Sequence, residues 1–408
     1  MTKIFAREPV FSIDKKLFAY QFIYRDTRAG LFSVDLNSLS VDQEPDHGLS
    51  LDDLLQMHMT IVNVHSDSLA DFADWFSPKD VIVELSEQQT KPAPELITQL
   101  KRLKQLGFKL VAQMHQTDWP EFLALSDFVK IELLSTTKDK VSALKQKTAP
   151  LNIQIIATQV HTYFQFEQCQ LHNIDYVQGF FFLEKKESTK KTVPASKLAY
   201  MQLLNEIAKP ELDKKHLQNV FERDPTLSFL LMKFINNPLV NKSFKINSIS
   251  HALNYLGELM IRRFVAIISL AGLNSDQPNE LLNLSLSRAK YCELVDAEIA
   301  DQADAMSAFL VGLFSLIDII LERSLQDLLT NLDLDDKILQ ALVDKEGDYW
   351  QILSSATAIE SGNWQGLLQA SKTLSLQQET LFEKHKQSIR WQTEMTTAVS
   401  TMFPVAQP

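Results

Sequence analysis

The chain has 408 residues, of which 45% are hydrophobic and 22% are charged, and its formal net charge is −11. This length favours two domains, each large enough to bury its own core. The acidic balance disfavours a nucleic-acid-binding protein with a broad basic surface. Two cysteines are too few for a disulfide framework, and the N-terminal residues lack the long apolar core of a signal peptide. A cytoplasmic protein is therefore expected.

Short apolar runs recur in the first half of the chain and predict buried strands. There are six of them: MTIVNV from Met59, VIVEL from Val81, FKLVAQM from Phe108, FVKIEL from Phe128, NIQIIA from Asn152 and YVQGFFF from Tyr176. Runs that are apolar throughout are typical of parallel strands covered by helices on both faces. Helix-like segments lie between them. In the helix predicted from Pro94, leucines recur at helical spacing, and Gly107 occupies the place of a helix C-terminal glycine.

This alternation of strands and helices favours a TIM-like (β/α) barrel or a doubly wound parallel sheet. A complete eight-unit barrel takes about 250 residues, so trimmed connections or missing units are expected here. The segment 184–196, EKKESTKKTVPAS, is polar and rich in lysine. It predicts an exposed linker, with a basic contact patch as the alternative.

After this linker the strand signal disappears and the pattern predicts an all-helical second half. The predicted helices cover 195–208, 226–236, 248–256, 258–270, 280–299 and 305–322, with several more towards the C-terminus. Asp224 followed by Pro225 is typical of a helix start. The apolar stretch 308–321 is too short to span a bilayer comfortably and contains Asp318, which predicts a buried helix. We expect Asp318 to pair with Arg262, Arg263 or Arg323.

Seven short stretches of the first half resemble motifs of the EAL domain family, in the family's order. They are QFIYR at 21–25, Asn63 in IVNV, ELSE at 84–87, QMHQ at 113–116, KIE at 130–132, ATQVH at 157–161 and Gln178-Gly179. Active members of this family hydrolyse cyclic di-GMP on a TIM-like barrel with divalent metals. The resemblance therefore implies the same barrel here.

The resemblance also implies where metal ligands would stand, and most of those positions have lost their acids. They are Gln21, Asn63, Glu84, Gln113, Met114 and the neighbourhood of Thr158. Magnesium prefers carboxylates and water, and a thioether is a poor ligand for it. Only Glu84 is anionic, so we predict that the site binds no metal and needs no cofactor. A site built on His115 and His161, both at strand ends, is a weaker alternative to surface histidines.

Two stretches of the second half resemble the HDOD domain, an all-helical relative of HD phosphohydrolases without their metal site. They are DPTLSFLLMKFINNP from Asp224 and SISHALNYLGELMIRRFVAIISLAG from Ser248. Where an HD enzyme has His-Asp, this chain has Ser315-Leu316. The expected organisation is an EAL-like barrel over residues 1–190 followed by an HDOD-like helical domain over residues 191–408.

Five residues remain as candidates for vestigial ligand or phosphate binding: Arg25, Asn63, Glu84, Lys130 and Gln178. A guanidinium such as that of Arg25 can grip a phosphate in two hydrogen bonds. The resemblance places Lys130 near the attacking water of active members. The alternative is a buried lysine paired with an acid such as Glu84, because an unpaired buried ammonium is costly. Asn63 and Gln178 could contact a base or ribose, or cap strand ends.

These residues predict a non-catalytic signalling protein rather than an enzyme. By the resemblance, it belongs to cyclic di-GMP-linked regulation of bacterial motility or biofilm formation and acts through contacts with unidentified signalling proteins. Two alternatives stay open: a receptor that binds cyclic di-GMP without cleaving it, and a weak residual cyclic di-GMP phosphodiesterase. Neither nucleic-acid binding nor membrane insertion is expected.

Overall fold

The computed structural model describes residues 4–25, 59–66, 69–70, 72–85, 93–133, 136–185, 195–209, 211–236, 245–275, 277–299, 304–330, 332 and 334–400. The chain forms two compact units. The first comprises Met1–Glu184 with Ala358–Trp364, and the second comprises Lys185–Thr357 with Gln365–Pro408.

The first unit contains a closed barrel of eight strands that follow one another in chain order. The strands are β1 Ile4–Ser12, β2 Leu17–Arg25, β3 Thr60–Val64, β4 Val81–Leu85, β5 Lys109–Gln113, β6 Phe128–Glu132, β7 Gln154–Thr158 and β8 Tyr176–Gln178. β1 is antiparallel to both β2 and β8, whereas the other neighbouring strands are parallel. The predicted TIM-like barrel is confirmed.

No strand is missing from this barrel, so the possibility of missing units was wrong. The trimming lies in the connections instead, because a tight hairpin around Lys15 joins β1 directly to β2. The apolar pattern of the sequence does not predict these two strands. Polar residues and Pro9 interrupt the apolar pattern of β1, and Pro is tolerated there because β1 contributes to an irregular antiparallel pairing.

Five helices of the first unit are described: α1 Phe72–Trp75, α2 Pro94–Gln105, α3 Pro120–Leu123, α4 Lys138–Thr148 and α5 Tyr163–Leu171. The predicted helix from Pro94 is confirmed, and its buried leucines lie on one face. Gly107 follows its end with a φ of 95°, a backbone conformation that side chains disfavour.

One layer of apolar side chains fills the interior of the barrel. Seven successive strands each contribute one buried residue to it: Val10, Ala19, Ile61, Ile82, Val111, Phe128 and Ile156. Phe18, Met59 and Tyr176 pack against this layer from one side. The barrel is therefore a packed core below its mouth rather than a pore, as expected for this fold.

The second unit is helical throughout its described residues. Its helices are α6 Ala195–Ala208, α7 Lys214–Arg223, α8 Pro225–Ile235, α9 Ile249–Leu273, α10 Asn279–Ile299, α11 Ala305–Phe314, α12 Ile317–Leu321, α13 Leu325–Leu329, α14 Asp336–Leu339, α15 Gly347–Glu360, α16 Trp364–Thr373 and α17 Gln378–Ser400. The all-helical second half is confirmed. Asp224 caps α8 as predicted, since its carboxylate accepts the backbone N–H groups of Thr226 and Leu227.

The separate helices expected at 248–256 and 258–270 are confirmed, because Gly257, with a non-helical φ of 71°, divides the element Ile249–Leu273. Two other details of the second unit differ from the prediction. The helix expected at 305–322 breaks at Ser315-Leu316. Asp318 pairs with Lys185. The three arginines proposed for it do not supply its partner, because Arg262 pairs with Glu258 and Arg263 with Glu293. Within the described part of the chain, no helix is long and apolar enough to cross a membrane.

Candidate functional site

A ring of polar side chains lies one layer above the apolar core of the barrel. Strand side chains alternate between faces with a period of two, so the residue two positions after each core residue points into the same interior. β1 runs antiparallel to its neighbours, so the residue at this level of β1 lies two positions before the core residue Val10 and is Glu8. We call these eight residues the mouth ring: Glu8, Gln21, Asn63, Glu84, Gln113, Lys130, Thr158 and Gln178.

The mouth ring lines a chamber of about 970 Å³. This volume suits a small organic ligand or cofactor. Among the described residues that line it, four carry carboxylates and three carry ammonium groups: Glu8, Glu84, Asp118 and Glu132 against Lys130, Lys140 and Lys147. Among these described residues, carboxylates exceed ammonium groups by only one, which is not the strong excess of negative charge that a pair of divalent cations would need.

Lys130 is the centre of the mouth ring's hydrogen bonds. Its ammonium donates to the side-chain oxygen of Gln21 and, at 2.6 Å, to Oε2 of Glu84. All three residues are buried, with residue exposures of 7% for Lys130 and 3% for each of its acceptors. The structure thus shows the buried lysine–glutamate pair that the sequence analysis weighed as one alternative for these residues.

The second oxygen of Glu84 is also occupied. Oε1 accepts a hydrogen bond from Nε2 of Gln113 at 3.2 Å. The backbone N–H of Gln113 donates to the side chain of Gln116 at 2.9 Å, and that side chain in turn donates to the carbonyl of Leu85. Gln113 is therefore held where its side-chain amide donates a hydrogen bond to the second oxygen of the Glu84 carboxylate.

On the other side of the ring, Nε2 of Gln178 donates to a carboxylate oxygen of Glu8 at 2.6 Å. A carboxylate only accepts, so this contact fixes the orientation of the amide and leaves Oε1 of Gln178 as a further acceptor. That oxygen and Oδ1 of Asn63 are both buried and have no hydrogen-bond partner. Buried acceptors without partners are uncommon in folded proteins and are candidates for ligand contacts.

The other residues predicted from the sequence fall at the rim or outside the described part of the chain. Met114 begins a short 3-10 turn after β5 and lines the chamber, where the hydroxyl of Thr136 lies 3.8 Å from its sulfur. His115 lines the chamber and is exposed, whereas His161 is exposed and is absent from the lining. The side chain of Arg25 lies outside the described residues.

The residues of the mouth do not fit the divalent metal centre that the EAL resemblance implies. Both oxygens of Glu84 are engaged by Lys130 and Gln113, and the Lys130 ammonium is the cation beside it. A magnesium ion would have to displace that ammonium and would find mainly neutral amide oxygens in exchange. Among the described residues, no group of three or more histidine, cysteine or acidic side chains could hold a metal ion.

Sequence reasoning missed one member of the mouth ring, Glu8. The sequence does contain an indication of it. Ala6, Glu8 and Val10 lie on the same face of β1, and Ala6 and Val10 are buried, so Glu8 is a polar residue between two buried ones. Glu8 contacts Gln178, which is 170 positions away, so only closure of the barrel brings the two together.

Comparison with known proteins shows that residues 193–337 match the model of the HDOD domain. YuxH of Bacillus subtilis, an uncharacterized protein, is 28% identical over 400 residues, which cover 95% of this chain and 97% of YuxH. The cyclic di-GMP phosphodiesterase CdgJ of Vibrio cholerae is 26% identical over 406 residues, which cover 98% of this chain and 94% of CdgJ. Both relatives therefore share nearly the full length of the chain.

Two solved structures that resemble this chain each cover less than half of it. The crystal structure of an EAL domain protein from Listeria monocytogenes is 16% identical and covers 44% of this chain and 87% of that chain, with a TM-score of 0.32. A calcium and cyclic di-GMP complex of Klebsiella pneumoniae BlrP1 is 16% identical and covers 45% of this chain and 55% of that chain, also with a TM-score of 0.32. The closed barrel precedes the residues that match the HDOD domain, which is the order of the two domains that the sequence predicts.

Proposed function

We propose that this chain is a non-catalytic regulatory protein of cyclic di-GMP signalling, which acts through contacts with other proteins in processes such as motility or biofilm formation. The link to cyclic di-GMP is supported by the full-length similarity to a Vibrio cholerae protein named as a cyclic di-GMP phosphodiesterase. The absence of catalysis is supported by the composition and the hydrogen bonds of the mouth ring.

The observation that carries this proposal is the contact between Lys130 and Glu84. Metal-assisted hydrolysis of a phosphodiester needs a hard cation to lower the pKa of a water molecule and to neutralise charge on the phosphate oxygens. An ammonium ion neutralises charge but has no vacant position at which to bind and activate a water. With Lys130 held beside Glu84, the mouth contains a neutral ion pair in place of a metal ion and loses the route to a metal-bound hydroxide.

The test is hydrolysis of cyclic di-GMP by the full-length chain in magnesium or manganese, with the linear dinucleotide separated by chromatography. We expect the wild type and the Glu84→Ala variant to give the same rate as buffer. Metal-dependent hydrolysis by the wild type that Glu84→Ala abolishes would identify a residual phosphodiesterase and refute the proposal. A known active EAL enzyme in the same assay controls for the substrate and the metal.

A second candidate function is a receptor that binds cyclic di-GMP without cleaving it. The two unpartnered acceptors, Oδ1 of Asn63 and Oε1 of Gln178, favour it, because they belong to residues that line one chamber. The Watson–Crick edge of guanine carries N–H donors that could satisfy them. Arg25 remains the proposed phosphate contact from the sequence.

Calorimetry with cyclic di-GMP, with and without magnesium, tests the receptor. If it is right, Gln178→Leu weakens binding by roughly one to two orders of magnitude, since a binding site left with mismatched polar groups loses about 1–3 kcal/mol. Gln170→Leu, at an exposed glutamine of α5 that does not line the chamber, is the matched control and should change affinity little. No heat at high protein concentration would exclude the receptor and leave the regulatory proposal intact.

A further inference from the structure

The mouth ring carries one more negative charge than positive charge. Glu8 and Glu84 are its carboxylates, and Lys130 is its ammonium group. The contact of 2.6 Å between Lys130 and Glu84 pairs two of these three charges. Among the described residues, no lysine, arginine or histidine pairs with Glu8, whose carboxylate accepts a hydrogen bond from the neutral side chain of Gln178. The uncompensated charge of the ring is therefore that of Glu8.

Two hydrogen-bond acceptors of the same ring also lack partners. Oε1 of Gln178 is buried, in a residue that is only 6% exposed, and Oδ1 of Asn63 is buried as well. Nε2 of Gln178 donates to Glu8, so Oε1 is the atom of this amide that remains for a ligand. Burial of an acceptor without a donor is costly, and these oxygens therefore point to a ligand that supplies N–H groups.

The chamber has room for an organic group beside these acceptors. Its volume is about 970 Å³, and it opens to solvent beside Asp118 and Lys147, whose side chains are 80% and 51% exposed. These two residues pair with each other at 3.0 Å, so Lys147 does not neutralise Glu8. A divalent metal ion would exceed the single charge of Glu8 and would fill only a small part of the chamber. A monovalent organic cation matches both the charge and the space.

A guanidinium group meets all of these requirements. It carries one positive charge and five N–H donors in one plane, and it binds a carboxylate through two hydrogen bonds. A neutral ligand with N–H groups would satisfy the amide oxygens but would leave the charge of Glu8 uncompensated. We propose that the mouth of the barrel binds the guanidinium group of an arginine side chain of a partner protein, with Glu8 as its counter-ion and Gln178 and Asn63 as neutral acceptors.

This inference names the chemistry of a partner for the proposed regulatory role and rests on that role. Its test is calorimetry with the full-length chain and Nα-acetylarginine amide, whose only charge is that of the guanidinium group. Nα-acetylcitrulline amide is the matched ligand, because it has nearly the same shape and keeps N–H donors but carries no charge. Glu8→Gln removes the charge and can still accept the amide of Gln178. Glu167→Gln, at an exposed glutamate of α5 that does not line the chamber, is the matched control variant.

We expect Glu8→Gln to bind the arginine compound at least about tenfold more weakly than the wild type, and Glu167→Gln to differ from the wild type by less than about twofold. Asn63→Asp should bind it about threefold or more tightly than the wild type, a gain that a misfolded variant could not give. Equal binding of the arginine and citrulline compounds would overturn the inference, as would unchanged binding in Glu8→Gln.

A peptide of four alanines around one central arginine, blocked at both ends, distinguishes the sources of the guanidinium group. Binding at least as tight as that of the single blocked residue supports a segment of a partner protein. Weaker binding would show that the mouth admits only small guanidines and would overturn the assignment to a protein. Hydrolysis of cyclic di-GMP by the wild type would refute the proposed function without altering the arginine result, so the two failures are distinguishable.

Discussion

The ammonium group of Lys130 lies 2.6 Å from Oε2 of Glu84, and both side chains are more than nine-tenths buried. Removing two charges from water costs several kcal/mol each, which their attraction offsets only when the remaining hydrogen-bonding groups are satisfied. Gln21 and Gln113 supply those extra bonds. Lys130, Glu84 and the two glutamines therefore form a self-neutralised polar network rather than a site awaiting a metal ion.

Replacing Lys130 with methionine should lower the free energy of unfolding by about 3–5 kcal/mol, because the buried carboxylate of Glu84 would lose its counter-charge. The double variant Lys130→Met with Glu84→Gln should recover most of that loss, since neither charge then remains. Urea unfolding followed by fluorescence measures both values.

The matched control is Lys147→Met, which breaks an exposed pair with Asp118 at 3.0 Å. Exposed ion pairs contribute about 1 kcal/mol or less, so this variant should stay close to the wild type. If Lys130→Met were no more costly than Lys147→Met, the buried pair would not hold the mouth together as described.

Magnesium should not stabilise the folded chain. A cation that binds the folded state raises the unfolding midpoint according to its concentration relative to its dissociation constant. With Lys130 beside Glu84, we expect no rise in the unfolding midpoint at about 10 mM magnesium. A rise that Glu84→Gln abolishes would show that the carboxylate still holds a metal.

The positions of the mouth ring were largely predictable from the sequence, because they follow from the period of a strand. Asn63, Glu84, Gln113 and Lys130 each stand at or near the end of an apolar run, and side chains at the same level of parallel strands face one interior. The resemblance to the EAL family identified these four candidates together with Gln21 and Gln178, and the period of the strands explains why they face one interior.

The partners of these residues were less predictable, because they depend on closure of the barrel. Glu84 and Lys130 are 46 positions apart, and Gln178 and Glu8 are 170 apart. Glu8 lies in the mouth ring because β1 runs antiparallel to β2 and β8. The polar residues of β1 do not reveal the direction of the strand. Likewise, several cations were available to Asp318 in the sequence, and the packing of the helical unit selects Lys185.

Gly179 should not tolerate a side chain. Its φ is 143°, and a Cβ atom there would lie 2.2 Å from the carbonyl oxygen of Val160, which accepts the backbone N–H of Phe181. Since the clash is with backbone, it cannot be relieved by a rotamer change, and Gly179→Ala should cost about 3 kcal/mol or more or prevent folding. Thermal unfolding and soluble yield measure the effect.

Gly107→Ala separates the steric effect from the conformational one. Gly107 also has a positive φ, of 95°, but its Cβ would lie 3.8 Å from the side chain of Pro78, an ordinary contact. This variant should cost about 1 kcal/mol, the strain of the backbone alone. Equal losses in the two variants would mean that close approach of Val160 does not select glycine at position 179.

Asp296→Asn should stabilise the helical unit at neutral pH and lose that advantage in acid. Burial raises the pKa of Asp296 above 3.8, so the folded state binds this proton more tightly than the unfolded state does. The resulting contribution to stability is fully present below pH 3.8 and is lost as the pH rises through the raised pKa. At pH 7, removal of the charge should then add roughly 1 kcal/mol to the free energy of unfolding.

Unfolding of the wild type and of Asp296→Asn, measured between about pH 3 and pH 7, tests this prediction. Glu379→Gln is the exposed control and should change the free energy of unfolding by less than about 0.5 kcal/mol. If Asp296→Asn were less stable than the wild type at every pH, the backbone N–H of Asp304 that bonds to this carboxylate would outweigh its burial.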